Sequence, residues 1–238
     1  MCVSKDIATA KAMHYHLLMK HSPLSIALLL LLCFSAHAQT ALPDDGQVKN
    51  GVYFNLFFSF GFRYPQNWIV HDEAINERIR ERAKEEAKSR EVSPLKAYLL
   101  FTVSRYPRGT PGIVLNPTVL VIAENIAPVP KNYSGKDYLL EVRPLKMKEG
   151  AQPLLNEPVE FRVNGFQFFR DDYSREVDGV SMRQAIFVTV KKGYALAFSF
   201  TGEDQKSVDE MAQAMNTILP AGEGGGLGTG ATRERKPD

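Results

Sequence analysis

The sequence is poor in cysteine and histidine, the residue types that most often carry chemistry. It has 238 residues, of which two are cysteines and five are histidines. Cys2, Cys33 and four of the histidines precede residue 39, so that His71 alone follows it. Metal sites need clustered ligands, and a nucleophilic serine needs a neighbouring base. Beyond residue 38 we therefore expect no disulfide, no cysteine nucleophile and no catalytic, cofactor-binding or metal-binding residue. His71 is interpreted as a surface or helix-start residue.

Long hydrophobic runs are scarce as well. The clearest one, Leu24 to Phe34, is 11 residues long, whereas a helix that spans a bilayer needs about 20. Lys20 and His21 precede the run, and Ala36-His37-Ala38 follows it. A basic start, a short apolar run and an Ala-x-Ala end are typical of a secretory signal peptide.

The sequence thus predicts that residues 1–38 are a signal peptide, cleaved near Ala38-Gln39, with Met13 or Met19 as the true start. A retained membrane anchor is the alternative. We expect a mature chain that is secreted or periplasmic in a bacterium, with no stable membrane span.

Charge of one sign is not in excess. The chain has 29 basic and 27 acidic residues. The predicted signal peptide contains Lys5, Lys11 and Lys20 but only one acidic residue, Asp6, so the mature chain retains 26 of each and a net charge of zero. A neutral surface gives no electrostatic basis for binding nucleic acid or anionic membrane. We therefore expect neither as a partner.

What the chain does contain is alternating apolar and polar residues between Pro158 and Thr201. Asn164-Gly165 and Asp178-Gly179 are pairs that favour two-residue hairpin turns, and Lys191-Lys192-Gly193 supplies a third turn. The pattern predicts a four-stranded antiparallel meander.

The first turn places Val163 opposite Phe166 and Phe161 opposite Phe168, with Ala185 and Phe187 on the same face. The other face is predicted to carry a second apolar set, namely Phe169, Ile186, Val188, Val190, Leu196, Phe198 and Phe200. Because both faces are apolar, both need a cover.

Two helices are predicted as covers. One has an apolar stripe that ends before Pro220, formed by Val208, Met211, Ala212, Met215, Ile218 and Leu219. The other begins at Ser134, with Asp137 at capping-box spacing. Its apolar side is Tyr138, Leu139 and Val142, and Pro144 kinks or ends it.

A third, charged helix is predicted from Asp72 to Glu91. It is interpreted as a solvated helix lying on the domain or, alternatively, as a partner-docking helix. Residues 97–103 and 118–124 then add two nearly continuous apolar strands.

Paired carboxylates are the remaining route to catalysis. Asp171 and Asp172 are adjacent, but neighbours in a strand point to opposite faces and cannot act on one substrate together. A pair assembled from distant positions stays an alternative.

Asn132-Tyr133-Ser134 fits a glycosylation sequon, although Ser134 is also interpreted as the helix cap.

Aromatic residues are concentrated between Phe57 and Tyr64, where five occur in eight positions. Together with Trp68 they could form a stacking platform for a ligand, but few positive charges are interleaved. We therefore predict that they belong to the core, namely Phe57, Phe58, Phe60, Phe62 and Tyr64.

Four stretches resemble the PsbP-like family in their order: "GVYFNLFFSFGFRYPQNWIV", "SGKDYL", "VNGFQFFRDDY" and "RQAIFVTVKKGYALAFSFTG". The resemblance covers Gly51 to Pro220. It implies an α+β fold, with an antiparallel sheet between helices on both faces (an α/β/α sandwich), as in the extrinsic photosystem subunit PsbP and a Ran-binding import factor. The chain would belong to a bacterial secreted branch of this family. Members are accessory subunits and adaptors, so no catalytic residue is implied.

The predicted organisation is a signal peptide (1–38), a linker (39–50), the PsbP-like domain (51–220) and a disordered Gly-rich tail (221–238).

The predicted function is a secreted, non-enzymatic binding or accessory module that acts through contacts with an unknown protein partner. One alternative is a carrier of a small apolar ligand in a pocket between sheet and helix. A less favoured one is a hydrolase that uses dispersed carboxylates.

Overall fold

The computed structural model describes residues 43–71, Glu77, Glu81 and 97–221. The predicted signal peptide, nearly all of the charged helix and the tail beyond Ala221 lie outside the described residues. Glu77 and Glu81 are exposed residues in helical conformation. Within the described ranges, no helix combines the length and hydrophobicity needed to cross a membrane.

The described residues form twelve strands, all paired antiparallel: β1 (Gln47–Lys49), β2 (Val52–Asn55), β3 (Phe60–Arg63), β4 (Ile69–Val70), β5 (Ala97–Ser104), β6 (Thr118–Asn125), β7 (Gln152–Pro153), β8 (Val159–Val163), β9 (Phe166–Val177), β10 (Val180–Lys191), β11 (Tyr194–Gly202) and β12 (Leu219–Pro220). They divide into a four-stranded sheet, β1-β2-β3-β12, and an eight-stranded sheet, β4-β5-β6-β11-β10-β9-β7, in which β8 also pairs with β9. Strand β1 lies inside the predicted linker, so the folded part begins before Gly51.

The predicted meander is present as β8 to β11. Val163 pairs with Phe166 and Phe161 with Phe168, as the turn at Asn164-Gly165 predicts. Asn164 has a φ of 45° and Gly165 a φ of 83°. Asn and Gly tolerate this left-handed region at low cost, which explains why the turn forms there.

The register across the third turn differs from the prediction. Lys191 pairs with Tyr194, so the turn consists of Lys192 and Gly193 alone. A one-residue change in register moves every side chain to the other face. Three residues assigned to the Ile186 face therefore lie on the face of Phe187, within the larger core cluster: Leu196, Phe198 and Phe200.

The aromatic stretch builds the four-stranded sheet, and its side chains are core residues, as predicted. Phe58, Phe60 and Phe62 are at most 1% exposed, whereas Phe57 and Tyr64 are partly buried against the same cluster. The sequence predicts one sheet covered by helices, but the structure places this second sheet over part of one face. Rings of Phe60 and Phe198 meet with centroids 5.3 Å apart.

Two helices pack on the large sheet. Helix α1 (Gly135–Lys148) buries Leu139 in a cluster with Ile186 and Val188. Pro144 does not end α1, which continues to Lys148.

Helix α2 (Gln205–Ala212), followed by a 3₁₀ turn (Gln213–Thr217), packs on the other cluster through Val208, Met211, Ala212 and Met215. Leu219 is not on this stripe: it belongs to β12 and is 43% exposed.

The described part is thus an α+β structure of mainly antiparallel sheets with two helices. Neighbouring strand residues such as Ile186 and Phe187 lie in different clusters, so α1 and α2 cover opposite faces of the large sheet.

Candidate functional site

An open cleft of about 650 Å³ lies where the first turn of α1 meets the β8–β9 hairpin and the end of β10. Five short pieces of chain line it: residues 131–135, residues 164–167 with Phe169, residues 189–191, Ser59 and Pro220. Because the pieces come from both sheets and a helix, the cleft is held by the packed core rather than by one loop.

The start of α1 is fixed in the cleft wall by a capping box. Ser134 Oγ accepts from the Asp137 backbone N–H, and the Asp137 carboxylate accepts from the Ser134 backbone N–H at 2.8 Å. The next residue, Gly135, approaches β10 so closely that a Cβ there would lie 2.2 Å from the Val188 carbonyl oxygen. Glycine at this position therefore lets the helix start rest directly on the sheet.

Lysines supply the charge of the cleft. Lys131 is exposed, and the Nζ of half-buried Lys191 lies 4.9 Å from the ring centroid of Phe166. Burial and the neighbouring Lys192 lower the pKa of Lys191. A carboxylate placed beside Lys191 would offset the cost of this burial, so the cleft suits a negatively charged group.

The hairpin wall is tied to the small sheet. Asn164 Nδ2 donates a hydrogen bond of 2.7 Å to the carbonyl oxygen of Ile218. Ala221 N–H donates to the carbonyl oxygen of Ser59 at 3.2 Å. The two contacts place Ser59 and Pro220 opposite the hairpin, and they form one rim of the cleft.

The two aspartates singled out in the sequence do not belong to this cleft. Asp171 is fully buried and accepts from Arg143 of α1 at 2.8 and 3.1 Å and from the Tyr173 hydroxyl at 2.6 Å. Burial alone would lower the pKa of Arg143, but Asp171 raises it overall. Burial, and then the hydrogen bond to Asp171, raise the pKa of Tyr173.

Asp172 points to the other face, as the strand geometry predicts. It accepts from Arg170 at 2.7 and 2.8 Å, and Arg170 also reaches Asp209 of α2. Each carboxylate is therefore bound to its own guanidinium, and the two do not form a pair around one substrate. Within the described residues no group of three or more His, Cys, Asp or Glu side chains is placed to hold a metal ion.

One contact of chemical interest, between His71 and Ser104, is not predicted by the sequence. His71 Nε2 lies 2.8 Å from Ser104 Oγ, although 33 positions separate the two residues. Ser104 is 2% exposed, and its hydroxyl donates to the Tyr106 carbonyl oxygen at 2.9 Å. Because the hydroxyl proton of Ser104 points to Tyr106, Ser104 Oγ accepts its other hydrogen bond from His71. The pair therefore holds β4 against β5, and the buried hydroxyl is not an accessible nucleophile. No local sequence signal marks the pair.

The structure of this chain is similar to several solved structures. No protein-family model and no curated protein matches the sequence. The structure is similar to that of the cyanobacterial PsbP protein of Synechocystis, with a TM-score of 0.42 and 15% identity over 74% of this chain and 96% of that one. The PsbP-like resemblance predicted from the motifs is thus confirmed as structural similarity.

Two further bacterial structures are similar. LpqN of Mycobacterium tuberculosis, described as involved in cell envelope biogenesis, has a TM-score of 0.39 and 12% identity over 68% of this chain and 83% of that one. PA94 of Pseudomonas aeruginosa, a protein of unknown function described as a putative regulator, has a TM-score of 0.36 and 13% identity over 54% and 85% of the two chains. At these values the similarity concerns the fold alone.

Proposed function

We propose that this chain is a non-enzymatic binding or accessory module that acts by protein–protein contact in the bacterial periplasm or outside the cell. The domain is taken to be an α/β/α sandwich of the PsbP-like kind, with the small sheet added on one face. The cleft at the start of α1 is the docking site, and an acidic segment of the partner is its occupant.

The observation that carries the proposal is the shape and charge of that cleft. Pockets for small molecules enclose most of their ligand, whereas this cleft of about 650 Å³ is open to solvent along the hairpin. Lys131 and Lys191 give it positive charge, whereas the Asp137 carboxylate already compensates the positive end of the α1 dipole. An exposed acidic loop would meet the two lysines without having to be enclosed.

Partner capture at the cleft tests the proposal. A photo-crosslinking amino acid is placed at Asn132, which is exposed in the cleft, and in a second protein at Lys206, which is exposed on α2. In the native host, a partner that docks in the cleft crosslinks from position 132 and not from position 206. Equal adducts from both positions, or none from 132, would count against the cleft as the docking site.

Charge reversal makes the test quantitative. With the captured protein purified, Lys191→Glu should weaken binding at least about tenfold, because a like charge then opposes the acidic segment. The matched control is Lys206→Glu, which makes the same change far from the cleft and should leave binding unchanged. Turnover of a substrate by the host-purified protein, whether or not Lys191→Glu changes its rate, would contradict a non-enzymatic role.

A carrier of a small apolar ligand is the second candidate, favoured by one observation: Phe166, Phe169 and Val190 all line the cleft. Native mass spectrometry of protein purified from its own host separates the two functions. A co-purifying small molecule that is lost from Phe169→Ser would favour the carrier.

A further inference from the structure

Strand β8 is an open edge of the large sheet. It pairs with β9 on one side, and no other strand pairs with it among the described residues. Helix α1 packs over β7, β9 and β10, and α2 packs over β10 and β11, so both lie inward of β8. Val159 is 49% exposed, and Glu160 and Arg162 are exposed as well. An uncovered strand of this kind is a template for pairing with another strand.

The register of the β8–β9 hairpin determines which backbone groups face outward. A two-residue turn closes on a pair that exchanges both hydrogen bonds, here Val163 and Phe166, and such pairs then alternate along the strands. Glu160 and Arg162 occupy the alternate positions, so their N–H and C=O groups point away from β9. Within the described chain, no hydrogen bond reaches these four groups.

These outward groups restrict how a second copy of β8 could pair with the first. Antiparallel pairing about a two-fold axis can oppose Glu160 to Glu160, Arg162 to Arg162, or Glu160 to Arg162. The first two registers place like charges opposite each other, which is unfavourable. The third opposes opposite charges twice and satisfies all the outward groups of both residues.

The same register also matches the apolar side of the strand. Its two-fold axis passes through Phe161, so that Val159 of one copy faces Val163 of the other. Phe161 is half-buried and its ring meets Phe187 edge-on at 5.3 Å, which fixes it in place before any association. Association would cover the exposed side of Val159 and leave the two charged pairs on the face that carries α1.

We propose that two copies of this chain associate through β8, antiparallel and centred on Phe161, so that the eight-stranded sheets of both copies become continuous. The partner of this surface is thus a second copy, selected by the self-complementary sequence Val-Glu-Phe-Arg-Val. This surface is separate from the Lys191 side of the cleft and goes beyond the proposed function.

Charge exchange across the two-fold axis tests the register. Light scattering coupled to size exclusion should give twice the mass of one chain for the wild type. Glu160→Arg and Arg162→Glu, each alone, place like charges opposite each other and should raise the dimer dissociation constant at least about tenfold. The double variant Glu160→Arg with Arg162→Glu restores opposite charges and should return it to within about threefold of the wild type.

The outward backbone N–H is tested by Arg162→Pro, which also removes the Arg162 charge. Proline removes the outward N–H, and edge strands tolerate it where that group does not bond within the sheet. The variant should therefore keep its far-ultraviolet circular dichroism and become monomeric. Lys206→Glu is the control for a charge change away from the edge, and it should stay dimeric.

A wild type that is monomeric at every accessible concentration would overturn the proposal. So would a dimer that survives both single reversals, or a double variant that folds but stays monomeric. Any of the single variants that loses its circular dichroism signal is replaced in the comparison by Arg162→Pro, whose change does not touch the pairing with β9.

Discussion

Asp171 and Asp172 are neighbours in β9, yet their carboxylates lie on opposite faces of the sheet and bind different arginines. Asp171 receives the guanidinium of Arg143 from α1, and Asp172 that of Arg170 from its own strand. Arg170 also forms an ion pair with Asp209 of α2. The two adjacent residues thus connect β9 to both of the helices that cover the sheet.

The first prediction concerns the buried pair of Asp171 and Arg143. Asp171→Ala leaves Arg143, whose side chain is 13% exposed, without its carboxylate. Removal of one partner of a buried ion pair costs about 3 kcal/mol of unfolding free energy. Urea unfolding followed by circular dichroism measures the loss.

The double variant Asp171→Leu with Arg143→Met is the informative control for that pair. It removes both charges and should lose less than the single variant, since no unpaired charge stays buried. Lys136→Ala breaks an exposed ion pair with Glu157 and should have no measurable effect. A double variant that is less stable than Asp171→Ala would show that the pair contributes more than it costs to bury.

The second prediction concerns the contact of Gly135 with β10. In Gly135→Ala the new methyl group would lie 2.2 Å from the Val188 carbonyl oxygen, so the helix start must move away from the sheet. Overpacking of this kind costs about 1–3 kcal/mol, and the same urea titration detects it. Leu140→Ala, on the exposed side of α1, is the control and should change stability little. A Gly135→Ala protein as stable as the wild type would show that α1 shifts freely.

The third prediction separates two roles of Asn164. Its φ of 45° favours glycine or asparagine, and its side chain donates to Ile218. Asn164→Gly keeps the backbone preference and loses the hydrogen bond, which costs about 1 kcal/mol. Asn164→Ala loses both and should cost about 1–2 kcal/mol more. Equal stability of the two variants, measured by chemical unfolding, would mean that the left-handed backbone is not strained by alanine.

The fourth prediction is a pH dependence at the start of α1. Hydrogen bonds from the Ser134 hydroxyl and backbone N–H lower the pKa of Asp137. A carboxyl whose pKa is lowered by folding stabilises the protein above its unfolded pKa, about 4, and stops doing so as the pH falls through the folded value. Asp137→Asn should therefore cost about 0.5 kcal/mol at neutral pH, a small value because the site is exposed.

The measurement for Asp137 is the difference in unfolding free energy between wild type and Asp137→Asn at several pH values. The difference should shrink below about pH 4. Glu210→Gln, an exposed carboxylate on α2, provides a baseline without the capping box. A difference that stays constant down to the lowest pH would mean that the charge of Asp137 does not contribute.

Local signals in the sequence were sufficient for much of the fold. The turn at Asn164-Gly165 and the capping box of Ser134 and Asp137 each depend on residues within a few positions, and both are present as predicted. The opposite orientations of Asp171 and Asp172 follow from strand geometry alone. The register across the third turn was predicted wrongly, because Lys191-Lys192-Gly193 does not indicate which two of its residues form the turn. That choice decides which side chains of β11 lie on each face of the sheet.

Contacts between distant segments could not be predicted. The small sheet gains its fourth strand because β12 pairs with β3, which lies far away in the sequence. The cleft combines residues 131–135, the β8–β9 hairpin and the end of β10, and neither its lysines nor its phenylalanines form a local motif. The pair of His71 and Ser104 and that of Arg143 and Asp171 likewise arise from sheet order and helix placement.

The pairing of β12 with β3 places Pro220 in the rim of the cleft, and Ala221 N–H donates to the carbonyl oxygen of Ser59 beside it. Both native cysteines lie at positions 2 and 33. If the predicted leader is removed, Ala221→Cys would give a single thiol for an environment-sensitive fluorophore. The fluorescence emission of this label would then change when a partner occupies the neighbouring cleft, so that labelled protein could be used to screen for partners.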